Sequence, residues 1–229
     1  MRIFRLCLPV AFCTALLSSF LGVPGVKSQT FNDCPECPKM VPIPAGSFLG
    51  KKQGKKKEER LSINKAFAIG KHEVTRGQYA IFVQSTGYHE GPCVHKNDRR
   101  WALLPELNWT NPGFKQFRDE PVVCVSSQDA EAYTDWLSLI TGEHYRLPTE
   151  TEWRYAAQEL ERKSVFATNA SRQPKTCEYA NIADQTLKNL FPRTISARCT
   201  DGYIYTAPVG RFRTNKFGLH DMRATYRSG

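Results

Sequence analysis

The chain has 229 residues, of which 41% are hydrophobic and 24% charged, with a formal net charge of +10. This composition excludes a disordered, collagen-like or low-complexity chain and supplies enough apolar material for one domain with a real core. Beyond residue 28 no apolar run is long enough to cross a bilayer as a helix.

The first element in chain order is a targeting segment. Arg2 and Arg5 supply a positive start, Leu6 to Leu21 an apolar stretch, and Val26-Lys27-Ser28 a small-residue cleavage site. Residues 1–28 are therefore expected to be a signal peptide, with an N-terminal membrane anchor as the alternative, and the protein to be exported to a periplasmic or extracellular space. Without Arg2, Arg5 and Lys27 the balance is 29 basic against 22 acidic residues, or +7. Much of the excess sits in Lys51-Lys52-Gln53-Gly54-Lys55-Lys56-Lys57-Glu58-Glu59-Arg60. Such a run can attract acidic polymers. No aromatic residue interleaves it to stack on bases, so it reads as a solvated loop between strands and not as a nucleic-acid site.

Cys7 and Cys13 fall inside the signal, leaving Cys34, Cys37, Cys93, Cys124, Cys177 and Cys199. An even number in an exported chain predicts disulfides before metal or redox chemistry. Cys34-Pro35-Glu36-Cys37 has the spacing of a zinc ligand pair or a cycling dithiol, but no second closely spaced pair and no βαβ setting accompanies it. A structural role is the simpler reading, and the pairing among Cys34, Cys37, Cys93 and Cys124 stays open.

Met40 to Phe48 predicts an edge strand running into a turn, because Pro42 and Pro44 cannot donate to a ladder. A second short strand follows at Ala66 to Lys71. Three helices are signalled. Thr75 and Gln78 form a capping box ahead of Tyr79, Phe82 and Val83, with Gly87 placed to stop the helix. The second begins near Ser126 with Asp129 three residues on, carries Tyr133, Trp136, Leu137 and Ile140 on one stripe, and ends at Gly142. The third begins at Thr149 with Glu152 completing the box, and is expected to bury Trp153, Ala156, Ala157 and Leu160. These stripes are core, not cofactor contacts. Residues 89–120 and 166–229 show little periodicity and are expected to be long loops fastened by metals or disulfides.

Several segments together resemble the formylglycine-generating enzyme, or sulfatase-modifying factor, family. They are Met40 to Phe48, Lys71 to Tyr79, Pro121 to Ser126 leading through Asp129 to Tyr133, Arg146 to Trp153, Thr206 to Gly210, and Phe217 to Met222. Ser127 departs from the tryptophan common in relatives, and the lysine-rich run replaces the usual continuation after Phe48. The resemblance implies an α+β fold of low regular secondary structure, similar to C-type lectin-like domains, over residues 29–222. It implies an activity too: copper- and dioxygen-dependent oxidation of a sulfatase cysteine to formylglycine, with a sulfatase-type protein as partner. Other relatives are non-haem iron enzymes that form carbon–sulfur bonds or non-catalytic binding modules, so the shared blocks bear on the fold more than on the activity.

Two further expectations follow from the resemblance. Asn181, Ile182, Asp201 and Tyr203 match the family's structural calcium site, with side-chain oxygens from Asn181 and Asp201 and carbonyls from Ile182 and Tyr203; hard oxygen donors suit calcium. An ion gathering both segments would also bring Cys177 and Cys199 within bridging range. The family's copper-binding cysteine pair lies beyond the Phe217 to Met222 block, so no catalytic residue is assigned here and copper is not expected to bind. Residues 223–229 do not continue the family pattern. One permitted coding of Arg223 to Gly229, with a single T restored before it, reads Ser-Gly-Asn-Val-Ser-Glu-Trp, which is the family continuation. The tail is thus expected to be a frameshifted end of the domain, and the chain to be inactive as an oxidase.

Overall fold

The computed structural model describes residues 1–6, 30–50, 57–89, 91, 93–96, 101–162, 176–192 and 194–222. The lysine run up to residue 56 and the tail 223–229, with its frameshift reading, lie outside them, as do residues 7–28 of the expected signal segment.

The main sheet has four strands: β1 (Phe4–Leu6), β2 (Met40–Ile43), β5 (Phe67–Gly70) and β8 (Tyr145–Arg146), in the order β2-β5-β1-β8. Its pairings are all antiparallel. Pro42 sits on β2, an edge of this sheet, where a missing donor costs no ladder bond. Three of the residues expected to leave with the signal, those of β1, form a central strand: Phe4 pairs Ile69 on one side and Arg146 on the other. Ile3 and Phe4 are fully buried there.

A separate hairpin pairs β3 (Gly46–Gly50) with β4 (Glu59–Ile63). A second hairpin, β6 (Cys93–Lys96) with β7 (Trp101–Leu104), lies inside the stretch expected to be irregular. Periodicity missed it because each strand has only four residues, too few for an alternation to register.

Helices α1 (Arg76–Thr86) and α2 (Ser127–Thr141) carry complete capping boxes. Thr75 accepts from the Gln78 amide and Ser126 from that of Asp129, while the Gln78 and Asp129 side chains accept from the two cap amides. Gly87 and Gly142 end them at φ of 66° and 70°, a conformation that favours glycine. On α2, Tyr133 and Leu137 are buried as expected, whereas Ile140 is 47% exposed. The stripe runs past the end of the surface it packs on. Helix α3 (Glu150–Arg162) buries Ala156 and Ala157, and also Tyr155, while Trp153 is half-buried; the Leu160 side chain lies outside the described residues.

Two apolar clusters result. One joins β1, β2, the first hairpin and α3 to Leu219 and Met222. The other packs α1 on α2 through Tyr79, Phe82, Tyr133 and Trp109. This is a mixed α+β fold with modest regular structure, in keeping with the sequence. No helix among the described residues is long and apolar enough to cross a membrane.

Candidate functional site

The four residues expected to hold a cation come together. Asp201 accepts hydrogen bonds from the Ile182 amide (2.7 Å) and the Tyr203 amide (2.8 Å), and the Asn181 Nδ2 donates to the Tyr205 carbonyl (2.8 Å). Ile182 and Tyr203 therefore turn their amides towards Asp201. A residue that the sequence did not single out joins them: Asp184, fully buried, accepts from the Asp201 amide at 2.6 Å and caps helix α4 (Gln185–Leu190) through the Leu187 amide. The available signal was an aspartate one residue before a helical segment, which reads only as a cap.

The Asp184 and Asp201 carboxylates and the Cys177 sulfur offer atoms within 4.8 Å of one another. The sulfur is bonded to Cys199 and is no ligand. The pKa of Asp201 is raised by burial, opposed by the two amides it accepts from and helped by the Asp184 charge. The two neighbouring carboxylates are hard oxygen donors of the kind that suits a divalent cation.

A second polar centre lies where β5 leaves the sheet. His72 stacks on His220 with ring centroids 4.7 Å apart. Burial, then His220 and the cations Lys71, Arg2 and Lys39, push the His72 pKa down to about 4. Asp221, in the left-handed region at φ 50°, accepts from the Gly210 amide. Burial raises its pKa to about 6. Gly210 is required here, since a Cβ would come within 2.7 Å of the His72 ring. Arg2, two residues before β1, closes this region by donating to the Gly70 and Lys71 carbonyls at 2.9 and 3.2 Å. Beside this centre opens a cleft of about 490 Å³ whose walls include Cys37, Lys39, His72, Glu73, Gln78 and Arg118.

The six cysteines among the described residues form three disulfides: Cys34–Cys37, Cys93–Cys124 and Cys177–Cys199. Cys93–Cys124 ties the second hairpin to the turn before α2, where Cys124 has φ 58°. Copper(I) chemistry requires soft thiolates held close together. In this oxidised state the described residues offer none.

Comparison with known proteins places the chain. A Sulfatase-modifying factor enzyme 1-like domain matches residues 26–224. The formylglycine-generating enzyme of Bos taurus is 33% identical over 218 residues, covering 80% of this chain and 55% of that protein. That of Mycobacterium tuberculosis is 30% identical over 223 residues, covering 80% of this chain and 70% of its own length. Among solved structures, PvdO from Pseudomonas aeruginosa aligns with a TM-score of 0.61 at 28% identity, covering 87% of this chain and 72% of that one. The chain spans about half the length of the bovine relative.

Proposed function

Because this chain belongs to the Sulfatase-modifying factor enzyme 1-like family, we propose that it is an exported protein of the formylglycine-generating type whose partner is a sulfatase-type protein, and that the chain as given does not oxidise cysteine. The observation that carries the second half is the pairing of all six described cysteines, which leaves no thiolate pair for copper. Cys7 and Cys13 fall within the expected signal and would leave with it. Export is supported by three disulfides, which persist in oxidising compartments, and by a family match that begins at residue 26, close to the expected cleavage site.

The cation site is read as structural calcium. Asp201, Asp184 and Asn181 would hold the ion through side-chain oxygens, with Ile182 and Tyr203 framing the site. A bound cation would neutralise two crowded carboxylates and draw 181–184 onto 201–203, segments that the Cys177–Cys199 bond also joins. The role of such an ion is to order this irregular part of the chain and not to carry out chemistry.

The test is direct. The purified chain is incubated with copper(I), dioxygen and a peptide carrying a sulfatase-type cysteine, and the peptide is weighed by mass spectrometry. The expected product is unchanged peptide or its disulfide; formylglycine would overturn the reading of inactivity.

A further inference from the structure

Strand β5 has the sequence of an internal strand. All of its residues, Phe67 to Gly70, are buried, and it carries no charged residue and no proline of the kind that blunts a sheet edge. It therefore needs a neighbour on each side. β2 supplies one and β1 the other, with β1 in turn paired to β8. Both walls of this middle position are also held by contacts that β1 does not make. On one side β5 is laddered to β2 from Phe67 to Gly70. On the other, the Tyr145 amide donates to Ser138 Oγ of α2 at 2.9 Å, and Arg146 donates to the two Glu152 carboxylate oxygens at 2.9 and 2.8 Å. Without β1 these walls frame a gap one strand wide, two ladder spacings of about 4.8 Å each.

The gap selects side chains as well as backbone. Phe4 stacks on Phe67 with ring centroids 4.5 Å apart, and the Arg146 guanidinium lies 3.7 Å from the centre of the Phe4 ring. Ile3 belongs to the other apolar cluster, with Met40, Ala68 and Tyr79. Arg5 pairs with Asp33 at 3.0 Å and with Glu143 at 2.5 Å. Asp33 also accepts from the Tyr145 hydroxyl, a contact that keeps it at this wall without Arg5. None of the residues of β1, β5 or β8 lines the 490 Å³ cleft, so the two places are distinct.

We propose that the processed chain, lacking residues 1–28, takes an extended strand in trans at this position, from a partner segment that presents an apolar residue, an aromatic residue and then an arginine. The inference rests on the export reading, because cleavage is what empties the position. Main-chain ladders to β5 and β8 supply the affinity, and the sites of Ile3, Phe4 and Arg5 supply the selection, as in other cases of strand addition to a sheet. Charge fixes the sign of the partner: an acidic strand would set its carboxylates against Asp33 and Glu143. The uncut chain holds its own residues 2–6 there at high effective concentration and so excludes the partner.

The test uses the full chain with a specific protease site inserted after Ser28, translated without membranes under oxidising conditions so that no signal processing occurs. Binding of a labelled peptide of residues 2–6 is read by fluorescence anisotropy and amide hydrogen exchange, before the cut and after it, with the 1–28 fragment removed by gel filtration. The uncut chain should ignore the peptide. The cut chain should bind it, regain exchange protection at β5 and β8, and rise in Tm. Peptides carrying Phe4→Asp or Arg5→Glu should bind at least about tenfold more weakly. Glu143→Lys in the chain should weaken the parent peptide and favour the Arg5→Glu one. A cut chain that loses its near-ultraviolet dichroism supports the proposal if the parent peptide restores the signal, and overturns it if the peptide does not. Equal binding of all the peptides, no binding to a folded cut chain, or self-association through the open edge with no response to the peptide also overturns it. The export reading is judged separately, by the first residue of the secreted chain, so either can fail without the other.

Discussion

His72 and His220 stack with an interplanar angle of 30°, one from the end of β5 and the other from the last described block of the chain. His220 Nδ1 donates to the Phe212 carbonyl at 2.7 Å, while the His72 Nδ1 is buried without a hydrogen-bond partner among the described residues. The stacked rings and the Gly210–Asp221 hydrogen bond thus join distant segments, and Arg2, Lys39, Lys71 and Glu73 act on their charges.

This cluster predicts a pH signature. With the folded His72 pKa lowered to about 4, the unfolded chain binds more protons between there and its ordinary value, so this group makes stability rise with pH across that window. Asp221, raised to about 6, acts in the opposite sense: the folded chain holds the extra proton, and stability falls as pH climbs from the ordinary carboxylate value to about 6. The His72→Gln variant should therefore gain less, or lose more, Tm than the parent between pH 4 and pH 6, and Asp221→Asn should gain more. Parallel Tm–pH curves for all three proteins would refute the assignment.

The core of α1 and α2 yields a contrast between two aromatic substitutions. Phe82 is buried and contacts Tyr79, Tyr133, Trp136 and Tyr88, so Phe82→Ala should cost about 3–5 kcal/mol through lost burial and cavity. The Tyr133 ring is equally enclosed, but its hydroxyl is buried without a partner among the described residues. Tyr133→Phe should then be neutral or stabilise by about 1 kcal/mol, because it removes an unsatisfied polar atom and keeps the ring. Denaturant titration of both variants measures the difference.

For the cation site, calcium should raise Tm and a chelator should lower it, with the difference absent in Asp201→Asn. Asp184→Asn separates the ligand role from the helix cap, because asparagine still caps α4 but supplies no charge. Loss of the calcium response with an unchanged Tm in chelator is the expected pattern. A full calcium response in both variants would place the ion elsewhere.

The N-terminal segment offers a test of export. Cleavage after Ser28 would remove β1 and open the sheet between β5 and β8, since both pair with it. Edman sequencing or intact mass of the secreted chain should give a start at Gln29. A start at Met1 would mean that the segment is retained in the sheet and would overturn the signal-peptide reading.

Sequence alone determined the features whose cause is local. The capping boxes at Thr75 and Ser126 and the stops at Gly87 and Gly142 are written within four residues of the bonds they make, and the ordered blocks from Met40 to Met222 were enough to mark the family. Tertiary structure decided what depends on remote partners. Ile140 keeps its place on the helical stripe but is 47% exposed. Cys93 finds Cys124 across 31 residues, and Asp184 adds its carboxylate to a site that Asn181, Ile182, Asp201 and Tyr203 had only outlined. Spacing along the chain sets helix caps and turns, but which carboxylates crowd together and which cysteines meet is set by how the loops are folded over one another.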